Sequence, residues 1–102
     1  MPEKLTKEEA KKFLGPVPIE NIFHVYEGPT CINLYELVES LQDMPDWQYS
    51  HHVNENRSDF LNWIHDCITD KTLVSQIRRV KKRETLIKKI KDRIKVLENA
   101  SK

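Results

Sequence analysis

Glycine and cysteine are both scarce in this chain. Two glycines among 102 residues are too few for sheets joined by many tight turns, because such turns depend on glycine's conformational freedom. The two cysteines, Cys31 and Cys67, do not make a disulfide framework, and this usage is typical of a reducing cytoplasm. The protein is therefore expected to be cytoplasmic and poor in sheet.

Long apolar runs are also missing. No stretch approaches the ~20 apolar residues of a membrane span, so no membrane partner is expected. The opening MPEKLTKEEAKK is charged with no apolar run behind it, which predicts no signal peptide. What is present, 38% hydrophobic and 32% charged residues over 102 positions, suits one small soluble helical domain with a modest core.

The net charge of +1 conceals two segments of opposite sign. Residues 1–72 hold six Lys or Arg and thirteen Asp or Glu, a net charge of −7. Residues 73–102 hold eleven Lys or Arg and three Asp or Glu, a net charge of +8. Segregation of this kind often marks a basic interaction tail. The alternative is that the two ends pair with each other, within one molecule or between two.

Start and stop signals divide the chain into three segments. Thr6, followed by Glu9, makes a capping box, and a Gly-Pro pair then terminates the helix, so residues 1–15 are predicted to hold an N-terminal helix. Residues 16–72 are predicted to form an acidic helical head. Residues 73–102 are predicted to continue from the head as one basic amphipathic helix.

The head is predicted to contain helices and one short β-hairpin. Residues 23–32 favour strands and surround a Glu-Gly-Pro turn signal. Asn33, and either Asn56 or Ser58, can each cap a run with helical spacing. Because a small head needs large side chains to fill it, four aromatic residues are predicted to be core: Trp47, Tyr49, Phe60 and Trp63.

The last helix is predicted to run from Asp70 or Lys71 to about Asn99 without a break. At 1.5 Å per residue, roughly 29 residues span about 43 Å, more than a compact head of about 70 residues is wide. The segment KKRET at 81–85 interrupts the apolar stripe of this helix. The part beyond it is expected to project from the head and to need a helical partner, another protein or a second copy. That predicted interface comprises Leu86, Ile87, Ile90, Ile94 and Leu97.

The opposite arc of this helix is basic. Clustered Lys and Arg release counterions when they meet phosphates, and they also attract acidic protein surfaces. A face that is only solvated is the simplest alternative, since Lys is a good helix former. No RNA- or DNA-binding motif is present in the sequence. The residues predicted to bind nucleic acid or another acidic partner are Arg78, Arg79, Lys81, Lys82, Lys88, Lys89, Arg93 and Lys95.

Histidines and cysteines in the middle of the chain raise the question of metal binding and catalysis. The pairs His51-His52 and His65-x-Cys67 differ from the ligand spacings of structural zinc sites, so no metal or other cofactor is expected. His52 and Asp59 are candidates for an acid–base pair, but a contact that pins a loop to a helix is more common. No phosphate-binding loop or nucleophile motif is present. The chain is predicted not to be an enzyme and to have no small-molecule substrate, with a small metal-dependent enzyme as the alternative.

Residues 51–73, HHVNENRSDFLNWIHDCITDKTL, carry a His-Val pair, a polar loop, Asp-Phe, Trp-Ile and a later Asp and Leu. This pattern resembles a domain of unknown function found in small archaeal proteins and in some bacterial lineages, over about residues 22–77. Ser58 stands where that family has Asn, and His51 adds a second His. The family has no established activity, so the resemblance implies a fold whose marked positions act in packing and capping. Its structural motif falls on His52, Asp59, Phe60, Trp63 and Ile64, and its other matching positions are Phe23, Gly28, Leu34, Glu36, Leu37, Leu41, Met44, Tyr49, Val53, Asp70 and Leu73.

These observations predict a mainly helical domain that acts as a non-enzymatic interaction module. In the first hypothesis, the C-terminal helix pairs its apolar stripe with another helix and turns its basic arc to an acidic partner, whether protein, nucleic acid or ribonucleoprotein. In the second, the chain forms a homo-oligomer in which the apolar stripe at 86–97 meets its own copy. Added salt separates the two, because phosphate contacts weaken steeply with salt while a hydrophobic contact does not. A bend at KKRET that returned the helix to the head would undermine both.

Overall fold

Helices dominate the computed structural model, which describes residues 4–102. A short antiparallel hairpin is the only sheet among these residues. The predicted mainly helical class, with a small hairpin and a long C-terminal helix, is confirmed. The first three residues of the predicted N-terminal segment lie outside the described part. The elements are α1 (Lys7–Leu14), β1 (Phe23–His24), β2 (Thr30–Cys31), α2 (Leu34–Asp43), α3 (Asp46–His52), α4 (Asp59–Trp63), α5 (Lys71–Ile77) and α6 (Arg83–Ala100).

The first helix, α1, begins and ends where its capping signals predict. The Thr6 hydroxyl accepts the Glu9 N–H at 3.1 Å, and the Glu9 carboxylate accepts the Thr6 N–H at 3.2 Å. These two bonds satisfy backbone donors that a helix start otherwise leaves unpaired. The helix ends at Leu14, and its Phe13 side chain packs into the core.

The hairpin between α1 and α2 is short and tightly turned. Its two-residue strands pair antiparallel, with Phe23 opposite Cys31, as the strand-like composition predicts. In the turn, Glu27 has a φ of 51°, and the Gly28 N–H donates to the Val25 carbonyl at 2.9 Å. A Cβ on Gly28 would approach a Val25 methyl carbon to 2.9 Å, so a larger residue there forces the turn to shift.

Polar side chains set the starts of the middle helices. Asn33 caps α2 and Ser58 caps α4, each accepting a backbone N–H three residues further on. After α4, a π-helical turn over Ile64–Ile68 ends at Thr69, which adopts a left-handed φ of 67°. Asp70 follows at once and caps α5. The predicted starts of these helices are confirmed.

The predicted continuity of the last helix is wrong. α5 ends at Ile77, α6 begins at Arg83, and the chain turns over residues 78–82. α6 then lies against α1, α2 and α5. The molecule measures 37 × 30 × 21 Å along its principal axes, so no helix of about 43 Å projects from it within residues 4–102.

The KKRET interruption supplies the physical cause of this break. An unbroken helix would carry the apolar side chains beyond 81–85 into water, because that segment offers no large apolar side chain to pack against the head. Burying each large aliphatic side chain stabilises the fold by about 1.5–3 kcal/mol. Several such side chains outweigh the helix propensity that is lost over a few residues, which is below about 1 kcal/mol for each ordinary residue.

The apolar stripe of α6 is consequently covered by the protein itself. The predicted helix-partner interface is therefore wrong, since its side chains pack on the helices named above and are not free to meet a second helix. The bend that undermines both starting hypotheses is present. Within residues 4–102, no helix combines the length and the apolarity that crossing a bilayer requires. Buried in the core are Leu86, Ile90, Ile94 and Leu97, with Ile87 half-buried beside them.

Candidate functional site

Residues 78–82, here called the basic linker, expose four cations between α5 and α6. Arg78, Arg79, Lys81 and Lys82 are all exposed. Among residues 4–102, none of them lies within 4.0 Å of a carboxylate oxygen. Four like charges within five residues repel one another and raise the local positive potential. The linker is therefore an electrostatic feature that the rest of the described chain does not neutralise by contact.

Contacts from α3 hold the basic linker in place. The Tyr49 hydroxyl donates to the Lys81 carbonyl at 2.6 Å. Arg83 follows the linker, donates to the Met44 carbonyl and lies 2.7 Å from Asp46. Burial raises the pKa of the Tyr49 phenol, so it remains protonated and able to donate at neutral pH. The linker is thus fixed through its backbone, and its cationic side chains are left for solvent or a partner.

The remaining cations of the predicted basic arc lie in more mixed surroundings. Lys88 is 3.1 Å from Asp92 in an exposed pair one helical turn apart. Lys95 is exposed, Lys89 is partly buried, and α6 also carries two exposed glutamates. The outer face of α6 therefore mixes both signs of charge. Among the predicted cations, the basic linker has the highest density of unpaired charge.

Arg93 was predicted to bind an acidic partner, and that prediction is wrong. The Arg93 guanidinium donates to the Asp70 carboxylate through two nitrogens, at 2.7 and 2.9 Å. Asp70 is 1% exposed and Arg93 is 3% exposed. The pair connects the N-terminus of α5 to the middle of α6. The sequence carried a signal for this burial, because position 93 falls three residues after Ile90 and four before Leu97, on the apolar spacing itself.

The predicted His52–Asp59 pair is in contact. His52 Nε2 accepts the Tyr26 backbone N–H at 2.9 Å, so Nδ1 carries the proton and donates to Asp59 at 2.9 Å. Arg57 Nε lies 3.2 Å from the other Asp59 oxygen. Both ring nitrogens are therefore engaged, and neither is free to take a proton from a substrate. The pair latches α3 to the hairpin and to the start of α4. The other motif residues, Phe60, Trp63 and Ile64, lie in the core as predicted.

Replacing His52 with alanine is expected to lower the free energy of unfolding by about 1–3 kcal/mol, because the Tyr26 N–H loses its acceptor. Urea unfolding followed by circular dichroism measures the change. His24→Ala is the matched control, since His24 is exposed and should change stability by less than about 0.5 kcal/mol. Equal midpoints for the two variants would contradict the latch.

The other histidines and cysteines do not assemble into a metal site within the described residues. No three His, Cys, Asp or Glu side chains of residues 4–102 come together in a group able to hold an ion. His65 instead lies 2.8 Å from its neighbour Asp66. Cys31 is buried, Cys67 is half-buried, and both are free thiols. Burial raises the pKa of each thiol, so both are protonated at neutral pH and are poor nucleophiles.

Tyr26, Trp47 and His51 form an exposed aromatic cluster that sequence reasoning missed. The Tyr26 and His51 rings stack with centroids 3.8 Å apart and planes 10° apart. The Trp47 ring stands nearly perpendicular to Tyr26, at 6.3 Å and 85°. Trp47 is 55% exposed and Tyr26 43%, so the prediction that Trp47 belongs to the core is wrong. Residue type predicted the wrong face of α3, because the buried side chains of this helix are the polar Gln48 and His52.

A groove of about 590 Å³ runs between α2 and α6. Tyr35, Val38 and Ile94 contribute to its lining, and the Tyr35 hydroxyl donates to Glu98 at 2.7 Å. Three lysines and three acidic residues of α6 surround it. Because those charges balance, the groove favours neither an acidic nor a basic partner, in contrast to the basic linker.

Comparisons of the chain with models of protein families, with curated proteins and with solved structures found no match. The likeness of residues 51–73 to a domain of unknown function therefore rests on the residues of this sequence alone. Its marked positions are packing, capping and latch residues, as described above. These positions stabilise the fold of the head, so a binding site is to be sought on the surfaces outside them.

Proposed function

We propose that this protein is a non-enzymatic binding module that takes an acidic partner on the basic linker. The observation that carries the proposal is the set of four exposed cations at 78–82 that meet no carboxylate among the described residues. Holding like charges together destabilises a small fold unless something offsets them. A polyanionic partner offsets them directly, and the release of its counterions drives binding.

The burial of the apolar stripe supports an electrostatic mode of association. The side chains that would have formed a helix zipper are occupied by the core. The contacts left to the C-terminal region are mainly charged, so the complex should form fast and weaken with salt. The engaged nitrogens of His52 support the non-enzymatic part of the proposal, because a general base needs a free lone pair.

Two further inferences belong with this proposal. We propose a cytoplasmic location, since Cys31 and Cys67 are both free thiols and suit a reducing compartment. We also propose membership of the archaeal and bacterial domain family of unknown function. The contact between His52 and Asp59, which that resemblance marks as a pair, supports it.

Binding of polyanions at two salt concentrations tests the proposed function. Fluorescent single-stranded RNA, duplex DNA and polyglutamate are followed by anisotropy at about 50 and 200 mM salt. If all four linker cations contact phosphates, the affinity for nucleic acid should fall about 50- to 150-fold over this range. Failure of all three probes to bind at the lower salt would refute the proposal.

A matched pair of variants assigns the binding to the basic linker. Lys81→Gln with Lys82→Gln should weaken binding and reduce the slope of log affinity against log salt by about 0.7–0.9 per lost contact. Lys7→Gln with Lys11→Gln removes the same charge from the exposed face of α1 and should change the slope little. Equal losses in the two variants would show that net charge, not the linker, controls binding.

A further inference from the structure

Helix α3 connects the aromatic cluster to the basic linker, because it carries Trp47 and His51 of the cluster and its Tyr49 bonds to Lys81. On α3, Tyr49 and Asp46 face the linker, through the Tyr49 bond to Lys81 and the Asp46 pair with Arg83. Trp47 lies two residues from Tyr49, about 200° around the helix, and shares the hairpin side of α3 with His51, four residues on. A helix is about 10–12 Å across with its side chains. A ligand that meets both the exposed rings and the linker cations therefore has to cross the outer face of α3, a distance of about 10–12 Å that a flexible chain can span.

Cations also flank both ends of α3. Arg83 sits at its first turn, where it offsets the charge of Asp46 at 2.7 Å. Arg57 Nη2 donates to the His51 carbonyl at 3.0 Å, at the last turn. The acid nearest to Trp47 in the chain is thus already neutralised. Glu27, exposed next to Tyr26, remains as a negative group on the hairpin side, which leaves the linker side as the path for an anionic backbone.

We propose that the partner is single-stranded nucleic acid, whose bases stack on the aromatic cluster while its phosphates contact the basic linker. This inference rests on the proposed function above and names its partner. Exposed aromatic rings combined with a cationic track are what proteins use to bind unpaired strands. In a duplex, the base faces are covered by one another and cannot meet Trp47. An acidic protein would neutralise the linker cations, but its carboxylates would not stack on the aromatic rings.

A ligand pair that differs only in its bases tests the inference. A fluorescent single-stranded RNA is compared with an abasic sugar–phosphate strand of equal length, which keeps the charges and removes the stacking surfaces. The RNA should bind about 5- to 150-fold more tightly, the range expected from one stacked base. Its binding should also quench the fluorescence of the exposed Trp47, while the buried Trp63 is affected little.

Two aromatic variants locate the stacking site. Trp47→Ala should lose the same 5- to 150-fold for RNA and keep the salt slope of the native protein, because no phosphate contact is removed. Trp47→Phe, which retains a ring, should recover most of the affinity. Tyr35→Ala is the control, since Tyr35 is also exposed but lies on α2 beside the C-terminal part of α6.

The outcomes separate this inference from the proposed function. Equal binding of RNA and the abasic strand, with no effect of Trp47→Ala, would overturn the stacking inference and leave polyanion binding intact. Tighter binding of polyglutamate than of RNA would also overturn it, in favour of an acidic protein partner. Absence of binding to every polyanion would defeat both.

Discussion

Replacing Arg93 with methionine is expected to lower the free energy of unfolding by about 3–5 kcal/mol, because it leaves the buried Asp70 charge without its partner. Methionine keeps the unbranched stem and removes the guanidinium, so lost packing contributes little. The two hydrogen bonds of 2.7 and 2.9 Å are lost together. Asp70 also caps α5 by accepting the Leu73 N–H, so its carboxylate cannot simply turn away to solvent.

Urea unfolding of three variants tests this expectation. Lys91→Met is the control, since Lys91 is exposed on the same helix and should change stability by less than about 0.5 kcal/mol. Adding Asp70→Asn to Arg93→Met removes the uncompensated charge and should recover part of the loss, which makes the two effects non-additive. An unfolding midpoint for Arg93→Met equal to that of Lys91→Met would show that the pair contributes nothing.

Replacing Trp63 with alanine is expected to cost a similar amount, about 3–5 kcal/mol, through the cavity that it leaves. Trp63 is 7% exposed, and its ring makes an edge contact with the Phe23 ring, with centroids 5.8 Å and planes 65° apart. Its indole N–H donates to the Asn21 carbonyl at 2.7 Å. The substitution therefore removes core contacts and also leaves a half-buried carbonyl without its donor.

The second tryptophan of the chain provides the control for Trp63→Ala. Trp47→Ala deletes the same atoms from an exposed position and should change stability by less than about 0.5 kcal/mol. A melting curve for Trp63→Ala that overlaps the native curve would contradict the burial of Trp63. The stability of Trp47→Ala also matters for the proposed RNA binding, because only a folded variant can test whether Trp47 takes part in it.

Local signals along the chain were sufficient to predict most of the elements. The capping box at Thr6, the caps at Asn33 and Ser58 and the hairpin turn near Gly28 all act within a few residues of one another. Such interactions are determined by neighbouring residues, so sequence reasoning captures them. The helical spacing of α6 likewise identified the face that needs covering, because period follows from helix geometry alone.

What covers that face depended on the tertiary structure. Periodicity cannot say whether a stripe meets another chain or its own core, since both remove the same apolar area from water. Here the break over 78–82 lets α6 return to the helices of the head. The same packing buried Arg93 against Asp70 and left the four cations of the basic linker exposed.

The sequence by itself thus determined the helical class, the caps, the hairpin and the excess of positive charge near the C-terminus. The tertiary structure decided which tryptophan lies in the core, which arginine is buried in an ion pair and which aromatic residues form an exposed cluster. The reason is physical: caps and helix period are set by residues a few positions apart, whereas exposure and ion pairing depend on residues far along the chain. Asp70 and Arg93 are 23 residues apart, and only the packing of α6 brings them together.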